Sequence, residues 1–203
     1  MKDKEKGKKK GKIFITIVIN LVVAIILIFA IYLLGGNRIY RVGFNIDAGE
    51  YILLGNGEFK IGNKSDKNYG YYQVNNIKDS ELVSVGGFTD KAYLILEEGQ
   101  LLKTKHAKLY KVSEYEHAVE DSISYNTNYM FETYYKVGYD LSAGTYTFTG
   151  DDFFYKICSK PTCKISSNDN EMLEIENVKD SKRITLEDGQ YLRIGGKTIT
   201  ATK

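Results

Sequence analysis

Residues 135–146 read YKVGYDLSAGTY, and residues 40–51 read YRVGFNIDAGEY. Six of the twelve positions are identical, and four more exchange one residue for a similar one. A second pair of matching stretches, LEEGQLL at 96–102 and LEDGQYL at 186–192, follows in the same order. Two motifs that recur in one order at similar spacing predict that the chain contains two tandem copies of one unit.

The glycines of the two motifs indicate how each copy folds. Glycine reaches backbone angles that other residues avoid, so a glycine present in both copies predicts a turn. The predicted structural turns lie at Gly43, Gly49 and Gly99 in the first copy and at Gly138, Gly144 and Gly189 in the second. Short strands and tight turns throughout predict a mainly β fold, in which each copy is a small sandwich or a partly open barrel.

An apolar segment precedes the two copies. Residues 13–34 carry no charged side chain, and a helix of that length spans the hydrocarbon layer of a membrane. A cleavable signal peptide has a shorter apolar stretch and a small-residue cleavage site, which LLGGN at 33–37 does not provide. Seven lysines in residues 1–12 predict a cytosolic tail in contact with membrane lipid, a single-pass transmembrane helix and extracellular repeats.

These features divide the chain into five segments. They are a basic cytosolic tail (1–12), an anchor helix (13–34), β repeat 1 (38–112), an acidic connector (113–133) and β repeat 2 (134–203). The connector has neither glycine nor proline, and its capping-box pattern SEYE at 113–116 predicts a short helix over 114–122. No folded segment is strongly basic, so nucleic acid is not expected as a partner.

Two cysteines form the most specific local feature. Cys158 and Cys163 flank four residues that include the single proline, Pro161. A turn at this point and an extracellular location favour a structural disulfide. Free thiols and a metal or redox pair are the alternatives, although a metal site needs further ligands and a redox pair usually has two intervening residues.

The sequence lacks the common catalytic motifs. It has no G-x-S-x-G elbow, no H-E-x-x-H and no P-loop, so we expect no catalytic residue, no cofactor and no metal ion, and the protein is not predicted to be an enzyme. His106 and His117 are expected at the surface. Residues 168–171, NDNE, offer oxygen atoms to Ca²⁺ but lack the length of an EF-hand loop, which favours a solvated loop.

A candidate ligand surface lies in the first repeat. An insertion at 55–70, which the second repeat lacks, brings Tyr69, Tyr71 and Tyr72 together in the sequence. Exposed aromatic rings contact sugars and protein partners well, whereas most of the 17 tyrosines are expected at half-buried strand positions. Shortening the insertion is therefore expected to reduce partner binding and to leave stability nearly unchanged.

The pattern Y-x-V-G-x-D-L-x-A-G-x-Y followed by D-G-Q-Y-L resembles a β-rich repeat of uncharacterised bacterial membrane proteins and lipoproteins, which is common in low-GC Gram-positive bacteria. The resemblance covers both repeats and is better in the second, because the first has Glu98 and Leu101 where the family favours Asp and Tyr. It implies a location at the cell membrane and a repeat architecture, and it implies no catalytic residue.

Together these features predict a non-enzymatic binding or scaffolding module at the cell surface, whose partner is a protein or a cell-envelope ligand. One alternative is an accessory or sensor subunit of a membrane complex, because Asn20 within the apolar segment could join a helix–helix contact. The other alternative is an enzyme with an unrecognised site.

Overall fold

The computed structural model describes residues 18, 21–23, 36–127, 131–164 and 170–203. Contacts divide the chain into two compact units, Met1–Asn37 and Arg38–Lys203. The predicted anchor at 13–34 lies almost entirely outside the described residues. Within the described residues, no helix has the length and apolar character needed to cross a membrane, and the transmembrane anchor stays a prediction.

The second unit is built from β-strands, which confirms the prediction of a mainly β chain. The strands around the first motif are β1 (Asn37–Arg41), β2 (Gly49–Gly55), β3 (Gly57–Ile61), β4 (Lys64–Asn76), β5 (Leu82–Thr89), β6 (Lys91–Leu96), β7 (Gln100–Lys105) and β8 (Ala107–Lys111). A 3₁₀ helix at Val112–Glu114 follows. The remaining strands are β9 (Ser122–Asn126), β10 (Glu132–Lys136), β11 (Gly144–Gly150), β12 (Phe153–Cys158), β13 (Met172–Val178), β14 (Ser181–Leu186), β15 (Tyr191–Gly195) and β16 (Thr198–Thr202).

Corresponding strands of the two repeats pair in the same way. The first repeat has one sheet in the order β1-β7-β4-β5 and another in the order β6-β2-β8. The second repeat has the equivalent orders β10-β15-β12-β13 and β14-β11-β16. Strand β3, which pairs with β4, is additional in the first repeat, and β9, which pairs with β16, is additional in the second. The two copies of each motif therefore occupy equivalent positions in two repeats that share one strand topology.

The repeated motif builds the same turn twice. The φ angles are +85° at Gly43, +82° at Gly138, +149° at Gly49 and Gly144, +80° at Gly99 and +82° at Gly189. The N–H of Gly43 donates to the carbonyl of Ile46 at 2.8 Å, and the N–H of Gly138 donates to the carbonyl of Leu141 at 2.7 Å. All six glycines predicted to form turns thus adopt positive φ angles that side chains disfavour.

Gly49→Val is expected to lower the free energy of unfolding by about 1–3 kcal/mol, because a β-branched residue is strained at positive φ. Crowding does not contribute, since the nearest atom to a new Cβ is Lys111 Cε at 3.7 Å. Denaturant unfolding of the full chain measures the change, with Ala48→Val at the exposed neighbouring position as the control. Equal stability of the two variants would contradict a structural role for this glycine.

Each repeat has a hydrophobic core, and the two cores meet. Buried Leu53 and Tyr93 belong to the first core, and buried Phe148 belongs to the second. Two tyrosines of the second repeat, Tyr134 and Tyr191, are part of the first core. Strands β5 and β10 also pair in parallel, which joins the two larger sheets into one nine-stranded sheet. The repeats are therefore docked against each other within a single unit.

The connector does not form the predicted helix. Its helical part is the three-residue 3₁₀ helix, which has no side-chain cap, and no helix is assigned at 115–122. The His117 ring packs 4.4 Å from the Tyr139 ring, and the Tyr139 hydroxyl donates to the carbonyls of Val112 at 2.9 Å and of Tyr115. The prediction of a helix over 114–122 is wrong because these contacts with the second repeat hold the backbone extended. They also bury much of His117, which was expected at the surface.

Candidate functional site

Asp140 lies at the joint between the two repeats, and its side chain is 1% exposed. Its Oδ1 accepts from Lys91 Nζ at 2.5 Å, and its Oδ2 accepts from the Tyr93 hydroxyl and the Lys136 N–H, each at 2.7 Å. Burial and the adjacent carboxylate raise the pKa of Tyr93 far above its ordinary value, so the hydroxyl stays a donor. His117 Nε2 lies 3.0 Å from Oδ1, but neither ring nitrogen makes a hydrogen bond with good geometry within the described residues.

Glu50 crosses the same joint from the first repeat. Its Oε2 accepts from Lys136 Nζ at 2.5 Å, and its Oε1 accepts from the Tyr191 hydroxyl at 2.5 Å. The ring of Tyr191 packs edge-on against Tyr93, with 5.9 Å between the ring centroids. A carboxylate of the first repeat therefore holds a cation and an aromatic hydroxyl of the second.

A third carboxylate, Glu132, pairs with two cations on the same sheet face of the second repeat. It accepts from Lys156 Nζ at 2.5 Å and from Arg193 Nε at 2.5 Å. The Arg193 guanidinium lies 4.3 Å from the centroid of the Tyr134 ring, and the Tyr134 hydroxyl is 3.3 Å from the Tyr72 hydroxyl. The charges of this face are thus neutralised inside the protein where the repeats meet.

The joint consists of contacts that stabilise docking. The buried oxygens of Asp140 already accept from three protein donors, and each oxygen of Glu50 accepts from one. Buried ionised groups persist when they are paired and hydrogen-bonded in this way. The sequence did not reveal the joint, because lysines and glutamates on strands are most often solvated surface charges.

The tyrosines predicted to form a ligand surface are mostly engaged in packing. Tyr72 is 2% exposed and lies in the first core, so its assignment to a ligand surface is wrong. Tyr69 is half-buried against two other rings: its centroid is 5.2 Å from Phe59 and 4.9 Å from Phe131. Tyr71 remains partly exposed. The 55–70 insertion forms the β3–β4 hairpin, and its rings contact Phe131 at the start of the second repeat.

A polar groove of about 320 Å³ lies instead on the sheet formed by β1, β7 and β4. Its walls include two cations, two amides and two apolar residues: Arg41, Lys103, Gln73, Asn75, Ile77 and Leu101. The amides form an internal pair, since Gln73 Nε2 donates to Asn75 Oδ1 at 2.7 Å. Within the described part of the chain, no carboxylate forms an ion pair with Arg41 or Lys103.

An adjoining pocket of about 370 Å³ shares Arg41 and Ile77 with the groove and adds Phe44, Lys78 and Glu98. Phe44 is 83% exposed, and the Arg41 guanidinium lies 5.9 Å from its ring centroid. We call the two pockets together the β1 groove. It combines exposed cations, amides and an exposed aromatic ring, which together suit an anionic partner with an apolar part.

None of the residues predicted for a ligand surface lines the β1 groove. Its main groups, Arg41, Phe44 and Lys103, attracted no attention in the sequence because single charged or aromatic residues carry no motif. The signal that could have found them is the repeat itself, since Arg41 and Phe44 lie inside the first copy of the duplicated stretch.

Cys158 and Cys163 are joined as a disulfide, with their Cα atoms 5.3 Å apart, which confirms the predicted pairing. Mass spectrometry of exported protein alkylated without reductant is expected to find neither cysteine modified. The same treatment after reduction should modify both and serves as the control. Two modified thiols in the unreduced sample would show that the pair is open in the native protein.

Glu171 organises the disulfide loop from inside. It is 3% exposed and accepts from the Lys164 N–H at 2.9 Å and from the Thr162 hydroxyl. Burial alone would raise its pKa, but these hydrogen bonds and Lys160 hold the pKa below its usual value. Glu171 is therefore not part of the solvated loop predicted at 168–171, of which residues 168 and 169 lie outside the described residues.

Comparison with protein-family models and with curated proteins found no match for this chain. Within the described ranges, no three His, Cys, Asp or Glu side chains lie close enough together to hold a metal ion. The β1 groove is thus interpreted from its own geometry and charge.

Proposed function

We propose that the chain is a single-pass membrane protein whose two β repeats form a non-enzymatic binding or scaffolding module outside the cell. Residues 1–12 stay in the cytosol, residues 13–34 form the anchor, and the β1 groove binds the partner. The observation that carries this proposal is the exposure of Phe44, at 83%, beside Arg41, which forms no ion pair with a carboxylate among the described residues although Glu98 lines the same pocket.

Such an arrangement contributes little to the stability of the fold. A large exposed ring gains no burial energy, and an unpaired cation beside it gains little from water-screened contacts. In complexes, by contrast, aromatic residues and arginine supply much of the binding energy. The groove therefore has the composition of a recognition surface, whereas Asp140 with Lys91 and Glu50 with Lys136 serve the joint between the repeats.

Protease protection tests the topology. Protease added to intact cells or spheroplasts is expected to remove a tag at Lys203 and to leave a tag at the N-terminus intact, because the lysine cluster holds the N-terminus inside. Permeabilised cells are the control, in which both tags should be lost. Protection of the C-terminal tag in intact cells would overturn the extracellular assignment.

Site-specific cross-linking tests the groove. A photoreactive amino acid at position 44 of the full chain in intact cells is expected to give a discrete adduct, and Arg41→Glu in the same chain should abolish it. The same amino acid at Leu173, which is 55% exposed on β13, is the matched control and should give no such adduct. Equal adducts at both positions, or adducts that persist with Arg41→Glu, would remove the groove as the binding surface.

A further inference from the structure

The β1 groove has a buried counterpart in the second repeat. The motif alignment and the strand registers show which positions of the two repeats are equivalent. Ile39 is equivalent to Tyr134, Arg41 to Lys136, Phe44 to Tyr139, Leu101 to Tyr191 and Lys103 to Arg193. Ile39 is 47% exposed where Tyr134 is 1% exposed, and Phe44 is 83% exposed where Tyr139 packs on Tyr93 and His117. The face that docks the second repeat onto the first is thus present again in the first repeat, but it is exposed there.

The occupied face shows what such a surface requires. Lys136 forms an ion pair with Glu50 of the first repeat. The Tyr134 hydroxyl forms a hydrogen bond with the hydroxyl of Tyr72, which is buried in the first repeat. In the exposed face of the first repeat, Arg41 is the cation equivalent to Lys136. Among the described residues, Lys103 of this face forms no ion pair, and Asn37 stands where the second repeat has Glu132, the carboxylate that neutralises Arg193.

We infer that the β1 groove is a docking face for a β-sheet protein module that presents a carboxylate to Arg41 and an apolar or aromatic side chain to Phe44, as the first repeat presents Glu50 and Tyr93 to the second. This inference rests on the proposed function and assigns the chemical class of its partner. The positive charge of the groove and its equivalence to the face that docks the second repeat both favour a protein module of this kind over other occupants.

A second copy of this chain does not fit that description. The outer face of the β14-β11-β16 sheet in the second repeat has Thr145 and Arg183 at the positions of Glu50 and Tyr93. The second repeat also has Glu174 and Glu176, which accept from the Tyr155 hydroxyl, so charged groups cover the edge of the second core. Thr145 would offer no carboxylate to Arg41, and Arg183 would offer a cation instead of an aromatic ring to Phe44, so this surface of the second repeat does not match the groove.

These differences supply a defined probe. A donor chain carries Thr145→Glu and Arg183→Tyr, two changes at exposed positions that restore the first-repeat residues, together with Arg41→Glu to prevent association with itself. The receptor is the wild-type full chain. Sedimentation of both full chains in detergent micelles measures complex formation, and circular dichroism of the donor confirms its fold. A second donor with Thr145→Glu, Arg183→Phe and Arg41→Glu replaces the first if the first is misfolded.

The donor is expected to bind the wild-type receptor one to one, and Arg41→Glu in the receptor should weaken binding by about 30-fold or more, as expected when one partner of a desolvated charge pair is removed. A receptor with Lys108→Glu, an exposed lysine on β8, is the matched control and should bind normally. A folded donor that does not bind, or that binds the Arg41→Glu receptor equally, overturns the inference.

Polygalacturonate tests the alternative partner class, because an anionic polysaccharide could also pair with Arg41 and Lys103. Binding of this polymer that depends on Arg41, without binding of the donor, would assign the groove to a polysaccharide and overturn a protein partner. A discrete adduct at position 44 in cells, combined with a failed donor, would keep the proposed binding function and reject the partner class. If the adduct at position 44 and the binding of the donor were both absent, the proposed binding function and the partner class would both be rejected.

Discussion

Asp140→Ala is expected to lower the free energy of unfolding by about 3–5 kcal/mol, the usual cost of breaking a buried ion pair from one side. The substitution leaves the Lys91 ammonium, 15% exposed, without its carboxylate. It also removes the acceptor of the Tyr93 hydroxyl, whose buried O–H would then have no partner. Both losses fall on the surface where the two repeats meet, so the docking of the repeats should weaken as well as the local turn.

The first repeat provides a matched control for this variant. Asn45 occupies the position equivalent to Asp140, and its Oδ1 accepts from the Arg41 N–H at 2.7 Å, as Asp140 Oδ2 accepts from the Lys136 N–H. Asn45 is exposed, and among the described residues its side chain makes a hydrogen bond only within its own turn. Asn45→Ala should therefore cost only about 1 kcal/mol, the value of one hydrogen bond.

Denaturant unfolding followed by far-ultraviolet circular dichroism measures both variants, since the chain has no tryptophan to report on unfolding. Asp140→Asn should lie between them, because it keeps an acceptor for Lys136 and Tyr93 but removes the charge that faces Lys91. If Asp140→Ala and Asn45→Ala were equally mild, the Asp140 cluster would not hold the repeats together.

The sequence predicted those features that a single stretch of chain determines. The duplication, the positive φ angles at the motif glycines and the pairing of Cys158 with Cys163 depend on residues close together in the chain, whose turn chemistry is local. The mainly β fold follows from the same turns and from the aromatic and threonine residues between them.

The features that the sequence did not predict depend on contacts between the repeats. Arg41 and Lys136 occupy the same place in the duplicated stretch, yet within the described residues Lys136 alone of the two pairs with a carboxylate from the other repeat. The capping-box pattern of the connector is a weak local preference, and the packing of His117 on Tyr139 overrides it, as tertiary contacts commonly override propensity. Which copy of a face becomes buried is decided by the order of the two repeats, and no local pattern records that order.

The 55–70 insertion is where the expectation changes most. The sequence suggested a binding loop that can be shortened without loss of stability. In the structure, the Phe59 ring lies 4.9 Å from the Phe131 ring in an edge-on contact, and the buried Thr127 hydroxyl donates to the buried Asp66 carboxylate. The hairpin therefore fastens the first repeat to the segment that leads into the second, and its removal should uncover an aromatic cluster and a buried polar group.

Replacing residues 57–67 of the β3–β4 hairpin with a short turn is expected to lower the free energy of unfolding by about 2–4 kcal/mol, from lost aromatic burial and the lost hydrogen bond from Thr127 to Asp66. Phe59→Ala should give about half of that effect, and a double-mutant cycle with Phe131→Ala should show a coupling of about 0.5–1.5 kcal/mol.

Phe44→Ala is the matched control, since it makes the same change at a ring that is 83% exposed, and it should alter stability by less than about 0.5 kcal/mol. The two phenylalanines should then separate the two roles. The Phe59→Ala variant should unfold more readily while its β1 groove still binds the partner. The Phe44→Ala variant should keep its stability and lose binding of the partner. If replacing the hairpin left the free energy of unfolding unchanged, the aromatic contacts with Phe131 would contribute nothing to the docking of the repeats. The 55–70 insertion would then again be a candidate binding loop.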